Sequence, residues 1–97
     1  MNKRHKAQIL KVKKVFSIKI NEDQTKVYNN MLYVSTRQAA KLFNVTYHSF
    51  AVLYARKITN KVRVITAGRH KFYHLADVTS LIDTSYRKNV TISELCK

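Results

Sequence analysis

Between Val34 and Lys57 the chain sets two helical patterns on either side of one tight turn, and that leaves few folds open. The stretch reads Val-Ser-Thr-Arg-Gln-Ala-Ala-Lys-Leu-Phe-Asn-Val-Thr-Tyr-His-Ser-Phe-Ala-Val-Leu-Tyr-Ala-Arg-Lys. Either Ser35 or Thr36 can cap the first helix, and Gln38 follows Ser35 by three residues, as a capping box requires. The helix runs to about Phe43, with Ala39 or Ala40, Leu42 and Phe43 facing inward. Asn44 suits the residue that ends it, because Asn tolerates left-handed backbone. Val45 plugs the turn, Thr46 caps the second helix, and Ser49 holds that helix's third position. Helical spacing turns Phe50, Leu53 and Tyr54 toward the first helix, and Tyr47, His48, Ala51, Val52 and Ala55 away from it. Two short capped helices so joined have the layout of a helix-turn-helix.

The flanking segments supply strand patterns. Lys14 to Ile20 alternates, which predicts a half-buried strand with Phe16, Ile18 and Ile20 on one face. Asn21 to Thr25 is a polar turn, Lys26 to Tyr28 a short return strand, and Asn29-Asn30 a further turn. Beyond the second helix, Lys61 to Thr66 alternates, Ala67-Gly68 turns, and Lys71 to His74 returns. This is a β-hairpin with Arg69, His70 and Lys71 at or near its tip. Leu75-Ala76-Asp77-Val78 then opens a last helix with Val78, Leu81 and Ile82 on one face. The division expected is a basic arm over 1–14, an α+β domain over 15–83 with an N-terminal β element, and a loose tail over 84–97 in which Ile92 and Leu95 offer a helical extension.

Charge narrows the function. The 97 residues carry 19 Lys and Arg against 5 Asp and Glu, a formal net charge of +14. So strong a field on so small a domain calls for a polyanion: nucleic acid first, an acidic protein second, an anionic membrane surface third. Residues 1–14 alone hold Lys3, Arg4, Lys6, Lys11, Lys13 and Lys14 with no acid, a composition suited to lying along phosphates. Such an arm should be dispensable for folding. The lysines also break any signal-peptide or membrane-spanning run, so an intracellular, cytoplasmic protein is expected.

Catalysis finds no footing: there is no acid pair, no nucleophile beside a base, and no glycine-rich phosphate loop. His5, His48, His70 and His74 lack the spacing of a zinc site, and Cys96 is a lone thiol. Neither an enzyme nor a cofactor is expected.

The outward face of the second helix is unusual for solvent. Tyr47, His48, Ala51, Val52 and Ala55 stand where Lys and Glu are ordinary. Small apolar groups suit thymine methyls, and His and Tyr can hydrogen-bond base edges. A helix packed on both sides in a small core is the alternative. No acid occurs between Asp23 and Asp77, as a surface meeting phosphates requires. Arg69, His70 and Lys71 on a projecting turn can reach phosphates or the minor groove, and Arg56, Lys57, Lys61 and Arg63 add to one patch. Tyr33, Tyr47, Tyr54 and Tyr73 offer faces for stacking unpaired bases. Tyr54 fits the core better, and Tyr33 and Tyr73 fit the sheet.

With these words in place, Val34 to Ile82 resembles the winged helix-turn-helix domain of phage and transposon excisionases and of MerR-like DNA-binding proteins. The matching features are Val34 to Thr46, the helix with Phe50 and Leu53, Gly68-Arg69 with Phe72-Tyr73, and Leu75-Ala76-Asp77-Val78. The resemblance covers about half of the chain. Arg56-Lys57-Ile58-Thr59 stands where the family commonly has a glycine and then a proline, and residues 1–33 have no counterpart. The resemblance implies double-stranded DNA as partner. It implies contacts from Thr36, Tyr47, His48 and Ser49 around the helix starts and from Arg69 and Lys71 on the wing. Arg37, Thr46, Ala51, Val52, Arg56, Lys57, Lys61, Arg63 and His70 complete the expected surface. The role implied is a recombination directionality factor or small transcriptional regulator of a phage or mobile element. It would self-associate on DNA and meet a recombinase or RNA polymerase. Two other readings stay open: a basic factor docking on an acidic host protein, and an RNA-binding protein.

Overall fold

Asn29 and Asn30 reverse the chain in two residues. Both have positive φ, 49° and 61°, the backbone that a two-residue hairpin turn demands and that Asn adopts more readily than most residues. They join strand β1 (Thr25–Tyr28) to β2 (Met31–Ser35). In the computed structural model, which describes the backbone of residues 2–88 and the side chains of residues 2–82, this hairpin is half of the sheet. The other half is β3 (Val64–Ala67) and β4 (His70–His74). The sheet is antiparallel throughout in the order β1-β2-β4-β3, so β2 and β4 are central. Gly68, at φ 63°, sits in the β3–β4 turn.

Two expectations for the amino-terminal third are corrected. Residues 3–14 are helical, not a free arm. Helix α1 (Lys3–Phe16) begins at Asn2, whose side chain accepts a hydrogen bond from the His5 backbone N–H at 2.8 Å. It ends at Ser17 in left-handed backbone. His5 and Val12 are buried, and Ile9 and Phe16 pack against the core. Lys14 to Ile20 is not a strand either. The helix takes Lys14 to Phe16, and 18–20 has no regular secondary structure and stands outside the sheet. The alternation there is still informative, because Ile18 packs against the core and Ile20 is buried while Lys19 is exposed. The anchor is Gln38: its Oε1 accepts from the Asn21 N–H and its Nε2 donates to the Lys19 carbonyl, both at 3.3 Å. Gln38 therefore does not close a capping box, although the Ser35 Oγ does accept from its N–H at 3.1 Å. The return strand at 26–28 pairs instead with β2.

Helix α2 (Thr36–Leu42) starts at the Ser35 cap. Asn44, at φ 59°, ends it. Asn44 N–H donates to the Lys41 carbonyl and Val45 N–H to the Ala40 carbonyl, each at 3.0 Å, the paired bonds of a Schellman stop. Thr46 caps the next helix through the Ser49 N–H at 3.1 Å. That helix is α3 (Tyr47–Ser49), then a π-helical segment (Phe50–Tyr54), then α4 (Ala55–Ile58). The bond from the Ala55 N–H to the Phe50 carbonyl spans five residues, so this turn holds one residue more than an α-turn.

The extra residue changes which side chains face inward. Uniform α-helical spacing puts Leu53 inside and Ala55 outside. In the structure Leu53 is 57% exposed and Ala55 only 7%. Phe50, Ala55 and Ile58 form the buried face. We expect Leu53→Gln to change stability by no more than about 0.5 kcal/mol, as at other surface positions. Ala55→Gln should cost roughly 1–3 kcal/mol by overpacking. Denaturant unfolding of the two variants checks this, and the reverse ranking would mean an unbroken α-helix.

The core is gathered around Phe50. Its ring stacks on Phe43 at 5.6 Å and meets Tyr73 edge-on at 5.4 Å, favourable offset and T-shaped geometries. Leu32, Val34, Ile58, Leu75 and Val78 close around it, all fully buried. Helix α5 (Leu75–Lys88) follows β4 directly. Val78 is buried and Leu81 and Ile82 pack on the core, as the spacing predicts. Residues 84–88, expected in a loose tail, continue this helix. Ile92, Leu95 and Cys96 lie outside the described residues.

Candidate nucleic-acid interface

The short loops hold three elements close together: the start of α2, the first turns of the helical run 47–58, and the β3–β4 hairpin. Between them is an open cleft of about 580 Å³. Of the residues expected at the surface, Thr36, Arg37, Tyr47, Ala51, Arg69, His70 and Lys71 line it. Hydrogen bonding sets the walls. The Thr36 hydroxyl donates to the Lys71 carbonyl at 3.4 Å, fastening the hairpin to the start of α2. The Arg37 guanidinium lies 5.3 Å from the centre of the Tyr47 ring, within cation–π range. That contact holds a cation and a half-exposed phenol side by side across the turn.

At the cleft floor, Tyr73 is 1% exposed. Burial pushes its phenol above the ordinary tyrosine range; a hydrogen bond with Thr36 opposes the shift and Tyr47 adds to it. The hydroxyl therefore stays neutral near pH 7.

Some expected residues stand elsewhere. Thr46, His48, Val52, Arg56 and Lys57 are exposed on the helical run or its cap, and Ser49 is half-buried there, but none lines the cleft. Lys61 is exposed on the loop before β3. Arg63 belongs to a different cluster. Its N–H donates to Asp77 Oδ2 at 3.1 Å, its guanidinium lies 3.7 Å from the same oxygen, and it donates to the Met31 sulfur at 3.4 Å. His74 joins this cluster, with Nδ1 3.2 Å from the Asp77 carboxylate. Arg63 thus braces the start of α5 and does not share a patch with the hairpin tip. Ala55, expected outward, lies on the cleft's inner wall.

The cleft also holds Phe72 and Tyr73 of the hairpin and two residues the spacing did not point to, Asp23 and Gln24. Gln24 arrives through the β1–β2 pairing, where its Oε1 accepts from the Ser35 hydroxyl at 2.7 Å. Asp23 places a carboxylate at the cleft, at the edge of the long acid-free stretch. Only the sheet pairing brings these residues beside α2, so no local signal marks them.

No protein-family model, curated protein or solved structure matches the chain. Its small mixed α/β domain with a four-stranded antiparallel sheet therefore stands on its own geometry. Among the described residues no helix is long and apolar enough to cross a membrane.

Proposed function

We propose that this chain is a sequence-specific double-stranded-DNA-binding protein of the winged helix-turn-helix type. The observation that carries the reading is the cleft. It is walled by the Arg37–Tyr47 pair and by the exposed Arg69, His70 and Lys71 of the hairpin. The helical run 47–58 is the reading helix: Tyr47 and Ala51 from the cleft wall, and the exposed His48 and Val52 beside it, meet base edges in the major groove. The β3–β4 hairpin is the wing, and its cations meet phosphates. The role is that of an excisionase-like directionality factor or a small transcriptional regulator. The resemblance of Val34 to Ile82 to those domains favours these roles.

The test begins by selecting bound fragments from genomic DNA. Tyr47→Ala and His48→Ala should then weaken binding to the selected site by about 1–3 kcal/mol more than binding to a scrambled duplex. Equal losses on both duplexes would overturn the reading-helix assignment. Arg69→Ala and Lys71→Ala should instead weaken every duplex by similar factors and make the salt slope shallower by about one unit each. Unchanged binding by both at several salt concentrations would remove the hairpin from the interface.

A further inference from the structure

Helix α1 carries Lys3, Arg4, Lys6, Lys11, Lys13 and Lys14, and all six are exposed. Ile9, Val12 and Phe16 are turned into the domain together with His5, while Leu10 and Val15 are exposed. His5 Nε2 lies 3.2 Å from the Asn30 carbonyl, which ties the helix to the β1–β2 turn. The cations are therefore displayed on a rod whose orientation is set by the core. Among the described residues no carboxylate forms an ion pair with any of them. Lys3 and Lys6, and Lys11 and Lys14, are like-charged i,i+3 pairs, which oppose helix formation unless a polyanion relieves them. Lys3 to Lys14 span about 16 Å of helix rise. At about 100° per residue the six cations fan over roughly half of the helix circumference, on the side opposite His5 and Val12. Leu10 and Val15 are exposed on the helix, but they stand five residues and so about 140° apart around it and do not join into one broad apolar face for a lipid surface.

This face is set apart from the cleft. Glu22 and Asp23 line a depression beside Leu10 and Lys13 of α1, and Asp23 also lines the cleft. Two of the five acids in the chain thus stand between the two basic surfaces. Carboxylates repel a phosphate track, so one strand is not expected to run from the cleft onto α1.

We infer that the outer face of α1 is a second duplex-binding surface, which takes the phosphate backbone of another DNA segment while the cleft holds the first. The inference rests on the DNA-binding reading of the cleft. A chain so equipped bridges two duplexes without sequence preference on the α1 side.

The experiment uses the full chain on a bead-bound duplex carrying the selected site, followed by a free fluorescent duplex of scrambled sequence. The parent protein should retain the second duplex. The quadruple variant Lys3→Gln, Lys6→Gln, Lys13→Gln, Lys14→Gln should bind the bead duplex within about threefold of the parent. Its capture of the second duplex should fall at least about tenfold, as expected on losing up to four phosphate contacts. The matching quadruple Lys→Arg variant should keep capture, and circular dichroism should show the same thermal transition for all three proteins. Capture undiminished in the Gln variant, or absent in the parent, would overturn the inference. So would an equal loss of bead-duplex binding and capture, which would put α1 on the same duplex as the cleft. If the parent shows no preference for the selected site and Arg69→Ala has no effect, the cleft reading fails instead; capture lost only in the Gln variant would still assign a duplex to α1.

Discussion

Deleting residues 1–12 should strongly destabilise the fold, not merely cost some affinity. The truncation removes Val12 and His5, each 3% exposed, and Ile9, which packs on the core. Burying an aliphatic side chain contributes about 1.5–3 kcal/mol, so the two aliphatics account for roughly 3–6 kcal/mol when Ile9 is counted as fully buried. A domain of this size has about 5–15 kcal/mol in total. The truncation also exposes the apolar surface that α1 covers, and it leaves only residues 13–16 of the helix, without the first turn that Asn2 caps. At about 4–8 °C per kcal/mol for a domain of this length, the midpoint should fall by roughly 15 °C or more. Thermal unfolding followed by circular dichroism is the measurement. A truncated protein that melts at the parent temperature would show that α1 is an appendage. The charge-neutral Gln variants of α1 separate this packing role from its charge, because they touch only exposed side chains.

Raising the salt concentration should have the other large effect. If the protein neutralises about six to eight phosphates, log affinity should fall against log salt with a slope of roughly −5 to −7. Going from 50 to 200 mM would then weaken binding by about three to four orders of magnitude. The motive is the net charge of +14. Arg37, Arg56, Lys57, Arg69 and Lys71 are also exposed around the cleft and the helical run. Titration of a short duplex at several salt concentrations gives the slope. A value shallower than about −2 would sink the DNA-binding reading, since it would leave most of these cations outside the contact.

The local signals between Ser35 and Ser49 predict the structure well because each acts over three or four residues. Ser35 and Thr46 cap where expected, and Asn44 takes left-handed backbone. Asn29-Asn30 turns for the same reason. The hairpin over 64–74 and the helix from Leu75 are equally local. The failure in the amino-terminal third has a plain cause. At Lys14 to Ile20 the period-two burial is real, yet no strand pairs with it, because helix α1 occupies the first half and Gln38 ties down the second. Periodicity reports which side is buried, not which partner buries it.

The sequence by itself determined the caps, the turns, the outward cations and the order of elements from Ser35 to Val78, since backbone sterics and short-range hydrogen bonds decide these within a turn or two. Tertiary structure alone decided three things. It recruited the basic amino terminus into the core as α1, where docking buries Val12 and His5. It pulled Gln24 and Asp23 to the cleft through the β1–β2 pairing. And it rotated Leu53 out and Ala55 in through the π-helical turn. Each depends on contacts between segments far apart in the chain or on a single extra residue in one helical turn, and neither leaves a mark in local spacing.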